Sequence, residues 1–180
     1  MARTARKPSF LNRFRRARDG ATAVEFAIVA TPFLALMFAI LDLGLVFLVS
    51  TTLENAVEEA SRKIRTGELQ TAGGTAATFK TAVCDELSWL GTGCSSALHV
   101  DVRTFTTFAG VTSGDLTTNG AFDDTKTQFS TGSSESIVLV RVYYEWGMMA
   151  PLMNPGLKNL SNGKRLISAT ATFRNEPYAS

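Results

Sequence analysis

ATAVEFAIVATPFLALMFAILDLGLVFLV, residues 21–49, carries only Glu25 and Asp42 as charges, and its centre, 26–41, is 16 residues with none. At about 1.5 Å per residue that centre spans roughly 24 Å, a little less than the ~30 Å hydrocarbon thickness of a bilayer, so both carboxylates are expected near the membrane margins. The segment therefore reads as a transmembrane helix. Pro32 within it removes one backbone donor, which is tolerated where neighbouring helices support the backbone. Ahead of it, Arg3, Arg6, Lys7, Arg13, Arg15, Arg16 and Arg18 oppose Asp19 alone, so residues 1–20 carry +6 of a net charge of +2 and the remaining 160 residues sum to −4. That asymmetry places the N-terminus in the cytoplasm and exports the rest. A cleaved secretory signal fits less well, because the apolar run exceeds the usual h-region and lacks a small-x-small site at its far end. Arg15-Arg16 is read as topogenic charge rather than as a twin-arginine signal.

Outward from that segment, 180 residues with 45% apolar and 19% charged side chains favour one compact exported unit. A surplus of base confined to a terminal tail argues against a nucleic-acid partner. Leu53, Val57, Ala60 and Ile64 recur at helical spacing, so the helix is expected to continue to Thr66, with Gly67 as the stop. Glu58 with Arg62 and Glu59 with Lys63 are acid-first i,i+4 pairs. Residues 75–90 predict a second, shorter helix, broken by Gly91-Thr92-Gly93. Cys84 and Cys94 can close a small loop in an oxidising compartment; two unpaired buried thiols are the alternative reading, and no histidine lies near enough in sequence to suggest a metal or redox centre. Strand patterns occupy 98–108, 136–146 and 166–173, the first alternating Leu98, Val100 and Val102 with His99, Asp101 and Arg103. Residues 110–134 are rich in Gly, Thr, Ser and Asp and read as an exposed loop or irregular excursion. Residues 148–163, with Pro151, Pro155 and Asn162-Gly163, are a second excursion. The expected fold is α+β: a long N-terminal transmembrane helix continuing into a periplasmic domain with a short second helix and a three- to four-stranded antiparallel sheet. The expected divisions are 1–20 as a basic leader, 21–49 as the membrane helix and 50–180 as the exported domain.

The junction Arg18-Asp19-Gly20-Ala21-Thr22-Ala23-Val24-Glu25-Phe26 resembles a type IV prepilin cleavage site. The resemblance implies a cut between Gly20 and Ala21 on the cytoplasmic face, with Glu25 at the fifth mature position. Gly20 lets an extended chain approach a protease closely, and the cut removes the +6 tail that opposes extraction from the membrane. Glu25 lies one helical turn from the new Ala21 amine, and in a filament it could instead pair with the Ala21 ammonium of an adjoining subunit. Taken alone, Glu25 is also readable as a plain juxtamembrane acid. Across the whole chain, 20–27 together with Pro32, Asp42-Leu43-Gly44 and the closing stretch 168–177 resembles the TadE-like pseudopilins of Tad (Flp) pilus systems. Phe26 stands where major Flp pilins have tyrosine, and the chain is much longer than theirs. The likeness implies a pilin-like fold and a minor subunit that assembles or initiates a pilus. Its implied partners are the inner membrane, a prepilin peptidase, other pilins and minor pilins, and pilus platform proteins.

Catalytic signatures are missing from the sequence: there is no G-x-S-x-G, no phosphate loop and no H-E-x-x-H. His99, the single histidine, is expected on the solvent side of its strand. Asp123-Asp124 is expected to be a solvated loop pair, Asn159-Leu160-Ser161 a chance glycosylation sequon, and Tyr143, Tyr144 and Trp146 packing residues rather than a partner patch. No enzyme activity, cofactor, metal or small-molecule substrate is expected. The competing reading is an uncleaved single-pass envelope protein with a protein-binding periplasmic domain; a membrane-anchored sensor or enzyme domain is a further one.

Overall fold

The computed structural model describes residues 20–91, 93–150 and 155–178; the basic leader before Gly20, together with Thr92 and Pro151, lies outside the described residues. The chain is α+β. Helix α1, Ala21–Arg65, runs unbroken for 45 residues, about 68 Å at ~1.5 Å per residue. Pro32 is accommodated inside it, and the neighbouring Thr31 hydroxyl donates to the Ala27 carbonyl at 2.7 Å. Its two halves have different surroundings. From Ala21 to Leu41 no residue is buried, whereas Asp42, Val46, Val49, Leu53, Ala56, Val57, Ala60 and Ile64 form a buried stripe at intervals close to the helical repeat. Arg62 pairs with Glu59 at i,i+3 and 2.7 Å, in place of the i,i+4 partner expected from the sequence; both spacings share a helix face, and both side chains are exposed.

The helix ends where Gly67 turns left-handed, φ 79°, with its N–H donating to the Ile64 carbonyl at 3.1 Å. The Tyr178 ring lies where a Cβ at Gly67 would stand, so glycine is required twice over, by dihedral angle and by space. After the single turn α2, Glu68–Thr71, comes α3, Ala76–Glu86, opened by a capping box in which Thr75 and Thr78 exchange side-chain and backbone bonds. The helix predicted to reach residue 90 stops at Glu86 and tightens into a 3₁₀ turn, Ser88–Leu90. Phe79, Val83 and Leu87 are buried with the α1 stripe. Cys84 on α3 is joined by a disulfide to Cys94 at the start of α4, Cys94–Ala97, with Cα atoms 5.8 Å apart.

Three antiparallel strands form the sheet in the order β1-β4-β5: β1 Leu98–Phe105, β4 Ile137–Trp146 and β5 Arg165–Arg174. Leu98 pairs with Tyr144, Val102 with Val140, and Val140 with Ala171. Leu98, Val100, Val102, Val138, Val140, Val142, Tyr144, Ile167 and Ala169 share one core cluster with the α1 stripe. Each large apolar side chain so buried is worth about 1.5–3 kcal/mol. The opposite face, expected to meet water, is covered over β1 and β4, because the excursion after β1 folds back onto it. Within that excursion Thr117–Thr118 (β2) and Ala121–Phe122 (β3) form a hairpin on Asn119 and Gly120, both at positive φ, and Val102 exchanges backbone bonds with Gln128 and Ser130 at 2.8 and 2.9 Å.

Beneath that cover, Asp101 is fully buried, accepting from Arg141 at 2.8 Å, from Arg103 at 3.0 Å and from the Gln128 amide at 2.9 Å; Arg141 also donates to the Gly114 carbonyl at 2.7 Å. This network ties the excursion to the sheet. At the other edge, the outward N–H and C=O of Leu166 are taken by the Asn159 side chain at 2.6 and 3.1 Å, and the same side of β5 continues through Ser168, Thr170 and Thr172. A groove of about 610 Å³ separates that edge from α1, lined by Glu54, Glu58, Ser61 and Arg62 opposite 170–173. Strand β5 rises in the same direction as α1: Arg165 pairs with Trp146 near the Asp42 end, and the Glu176 amide donates to the Arg65 carbonyl at 2.8 Å.

Two substitutions test this account by urea unfolding of the full chain in detergent. Gly67→Ala is expected to destabilise by more than about 1 kcal/mol, with part of the loss recovered when Tyr178→Ala removes the obstructing ring. Arg141→Met, which leaves Asp101 short of its principal cation, is expected to cost about 3 kcal/mol, and Asp101→Leu combined with it less than the single change.

Candidate functional site

The junction singled out by the sequence lies at the free end of α1. Gly20 is the N-cap, at φ −99°, and its carbonyl accepts from the Val24 amide at 3.1 Å. A Cβ at this position would meet nothing within 4 Å, so neither dihedral angle nor packing in the folded chain demands glycine there. Ala21 is the first helical residue. Glu25 follows one turn later on the same face, exposed and without an ion pair among the described residues. Phe26 is 74% exposed, and Val24, Ile28, Val29, Phe33, Leu36 and Ile40 are likewise exposed. This half of the rod is an apolar surface that its own chain leaves uncovered. By length and composition α1 is able to cross a membrane.

Asp42 is the residue whose setting the sequence does not disclose. The expectation placed it at a membrane margin; the structure buries it completely, with Oδ1 accepting from the Met149 amide at 3.0 Å and Oδ2 from the Ala150 amide at 2.9 Å. Its partners lie more than a hundred residues away, and a backbone amide has no sequence signature. The one hint is an acid in an apolar run, paired with a second apolar cluster, Met148-Met149, in a loop that begins at Gly147.

One residue departs from its expected position. His99 is not on a solvent face: its side chain is 13% exposed, its ring stacks on Phe122 at 4.2 Å, Nδ1 lies 2.7 Å from Asp124 and Nε2 3.9 Å from Glu145. Asp123 and Asp124 remain open to solvent in the loop, the Asp124 side chain being 70% exposed, and they also make local bonds: Asp124 faces His99, while Asp123 accepts from Thr118, from the Thr125 hydroxyl and from the Thr125 amide. The cause of the His99 burial is the excursion, which brings loop polar groups onto the sheet. Tyr143 packs on Phe122 and Tyr144 on Trp146, with Tyr144 in the core. Asn159 is engaged with Leu166 rather than held out as an acceptor for sugar. Among the described residues no group of three or more His, Cys, Asp or Glu is placed to hold a metal ion.

Residues 20–62 match the family model described as TadE-like protein. The match opens on Gly20 and takes in Glu25, Asp42 and most of the buried stripe, so the chain carries a TadE-like segment. No curated protein and no solved structure matches the chain.

The excursion carries a pH dependence of defined sign. Hydrogen bonds from Thr125 and Thr118 hold the Asp123 carboxyl below its ordinary range, and bonds from Thr117 do the same for Asp115. A depressed folded value contributes stability that is present above the ordinary aspartate pKa of about 3.9 and lost as pH falls through the lower folded value. Hydrogen exchange at the Thr117 and Thr125 amides is therefore expected to stay protected at pH 5 and to lose that protection only on further acidification; protection already lost at pH 5 contradicts the assignment.

Proposed function

We propose that this TadE-like chain is a minor pilin-like subunit, a pseudopilin, needed to assemble or initiate a Tad (Flp) pilus. A prepilin peptidase matures it by cutting between Gly20 and Ala21. Its leader faces the cytoplasm, α1 crosses the inner membrane, and the sheet-bearing domain stands in the periplasm. Its partners are that peptidase, other pilins and minor pilins, and the pilus platform. The chain itself performs no catalysis and binds no cofactor, small-molecule substrate or nucleic acid.

The observation that carries this reading is the junction itself. A glycine the fold does not need precedes a helix whose first turn leads to an exposed acid and whose next four turns are uncovered apolar surface. A glycine retained without a local conformational reason suits a site that must enter a protease in extended form. An acid beside an apolar rod suits a subunit whose acid meets a neighbour's amine, because pairing lowers the desolvation cost of both groups. Cutting away the +6 leader leaves a rod that can be drawn out of lipid, while the α1 stripe keeps the domain attached.

Mass spectrometry of the mature N-terminus tests the cut, with Ala21 expected as the first residue. A chain retaining residues 1–20 in cells with active peptidase overturns the proposal and favours an uncleaved envelope protein. Gly20→Ala is sterically free in the fold, so slowed cutting without loss of stability is expected from it. Glu25→Ala is expected to be cut normally and to impair piliation, and normal piliation with both variants contradicts the roles assigned to them.

A further inference from the structure

The uncovered apolar surface of α1 does not stop at Asp42. Leu43 is 56% exposed, Phe47 70% and Leu48 45%, and the polar residues Ser50, Thr51, Thr52 and Glu54 follow only after them. From Phe26, just beyond Glu25, to Leu48 is 23 residues, about 35 Å of helix, which fits a ~30 Å hydrocarbon layer at a tilt of about 30°. Asp42 then lies about 9 Å inside the far end of the band, not at its margin. A bare carboxylate at that depth is costly, and so is a loop backbone whose amides have no acceptor. Here each group satisfies the other, through the two bonds from Met149 and Ala150 at 3.0 and 2.9 Å. The loop that makes them carries Met149, 67% exposed, at the level of the uncovered Leu43 and Phe47.

We propose that residues 147–150 form a membrane foot: the loop dips into the acyl-chain region of the leaflet distal to Ala21, with Met149 against lipid and Asp42 as the acceptor that lets its backbone sit there. This rests on the reading of α1 as a membrane span. The ligand is the hydrocarbon of the bilayer, and the surface that receives it is continuous with the lipid-facing rod. The exported domain is then not simply tethered above the membrane by a flexible stalk. It is seated, with its lowest loop and the helix entering lipid side by side.

The test uses the full chain with Trp89→Phe and Trp146→Phe, so that a single introduced tryptophan reports its own depth. Met149→Trp, Phe33→Trp and Phe108→Trp are reconstituted separately into phosphatidylcholine vesicles with and without bromine on the acyl chains. Bromine is expected to quench the tryptophans at 149 and 33 and to leave that at 108, remote on the domain, unchanged. Quenching at 33 but not at 149 overturns the foot and leaves the span standing; that includes emission at 149 that shifts only at high protein density, the mark of packing against another subunit. No quenching at 33 overturns the span and the foot with it. Asp42→Leu, which cannot accept the two amides, is expected to abolish quenching at 149 while retaining it at 33, and Asp42→Asn to lose it in part. Unchanged quenching at 149 in Asp42→Leu overturns the role given to Asp42.

Discussion

One helix has to answer to two surroundings, and the position at which it changes between them governs the rest of the molecule. Along α1 the buried stripe Val46, Val49, Leu53, Val57, Ala60 and Ile64 faces the sheet, while residues of the same and preceding turns remain uncovered. A rod apolar all round cannot select a packing face; a rod apolar on one side can. The domain therefore forms where the pattern becomes one-sided, and it takes its orientation from that stripe. The left-handed turn at Gly67, closed by Tyr178, and the disulfide between Cys84 and Cys94 then return the chain beside the rod it has just left.

The elements governed by local chemistry were legible in the sequence. The long helix, its end at Gly67, the helix carrying Phe79 and Val83, and the three strands all follow from periodicity and breakers that act within a few residues. What was not legible is what the two excursions do. Residues 110–134 look like solvated loop because they are polar, yet they cover the sheet, and their polar groups meet Asp101, Arg141 and the Nδ1 of His99 beneath them. The Asn119-Gly120 pair is a hairpin signal that could have been read there. An alternating strand cannot by itself distinguish water from a polar layer of its own chain, which is why Asp101 looked exposed.

At the candidate site the division is the same. Gly20, Ala21, Glu25 and Phe26 stand together on one helix end, so sequence spacing is nearly the same thing as geometry there. Asp42 is different, because its partners are amides brought from beyond the second strand of the sheet, and amides are supplied by every residue alike. A carboxylate in an apolar helix invites a search for a charged partner. The amides of Met149 and Ala150 bring dipoles to it, which solvate the acid where water is absent.

The open side of β5 has a consequence of its own. Ser168, Thr170 and Thr172 bring neither charge nor proline to that edge, the usual safeguards against unwanted strand pairing. The strand rises in the same direction as α1, so copies anchored in one bilayer as proposed all present it with the same polarity. Two such edges can then meet only head-alongside-head; the commoner head-to-tail clasp needs one molecule turned upside down in the lipid. Insertion itself thus limits the open edge to parallel pairing, slightly the weaker of the two ladders.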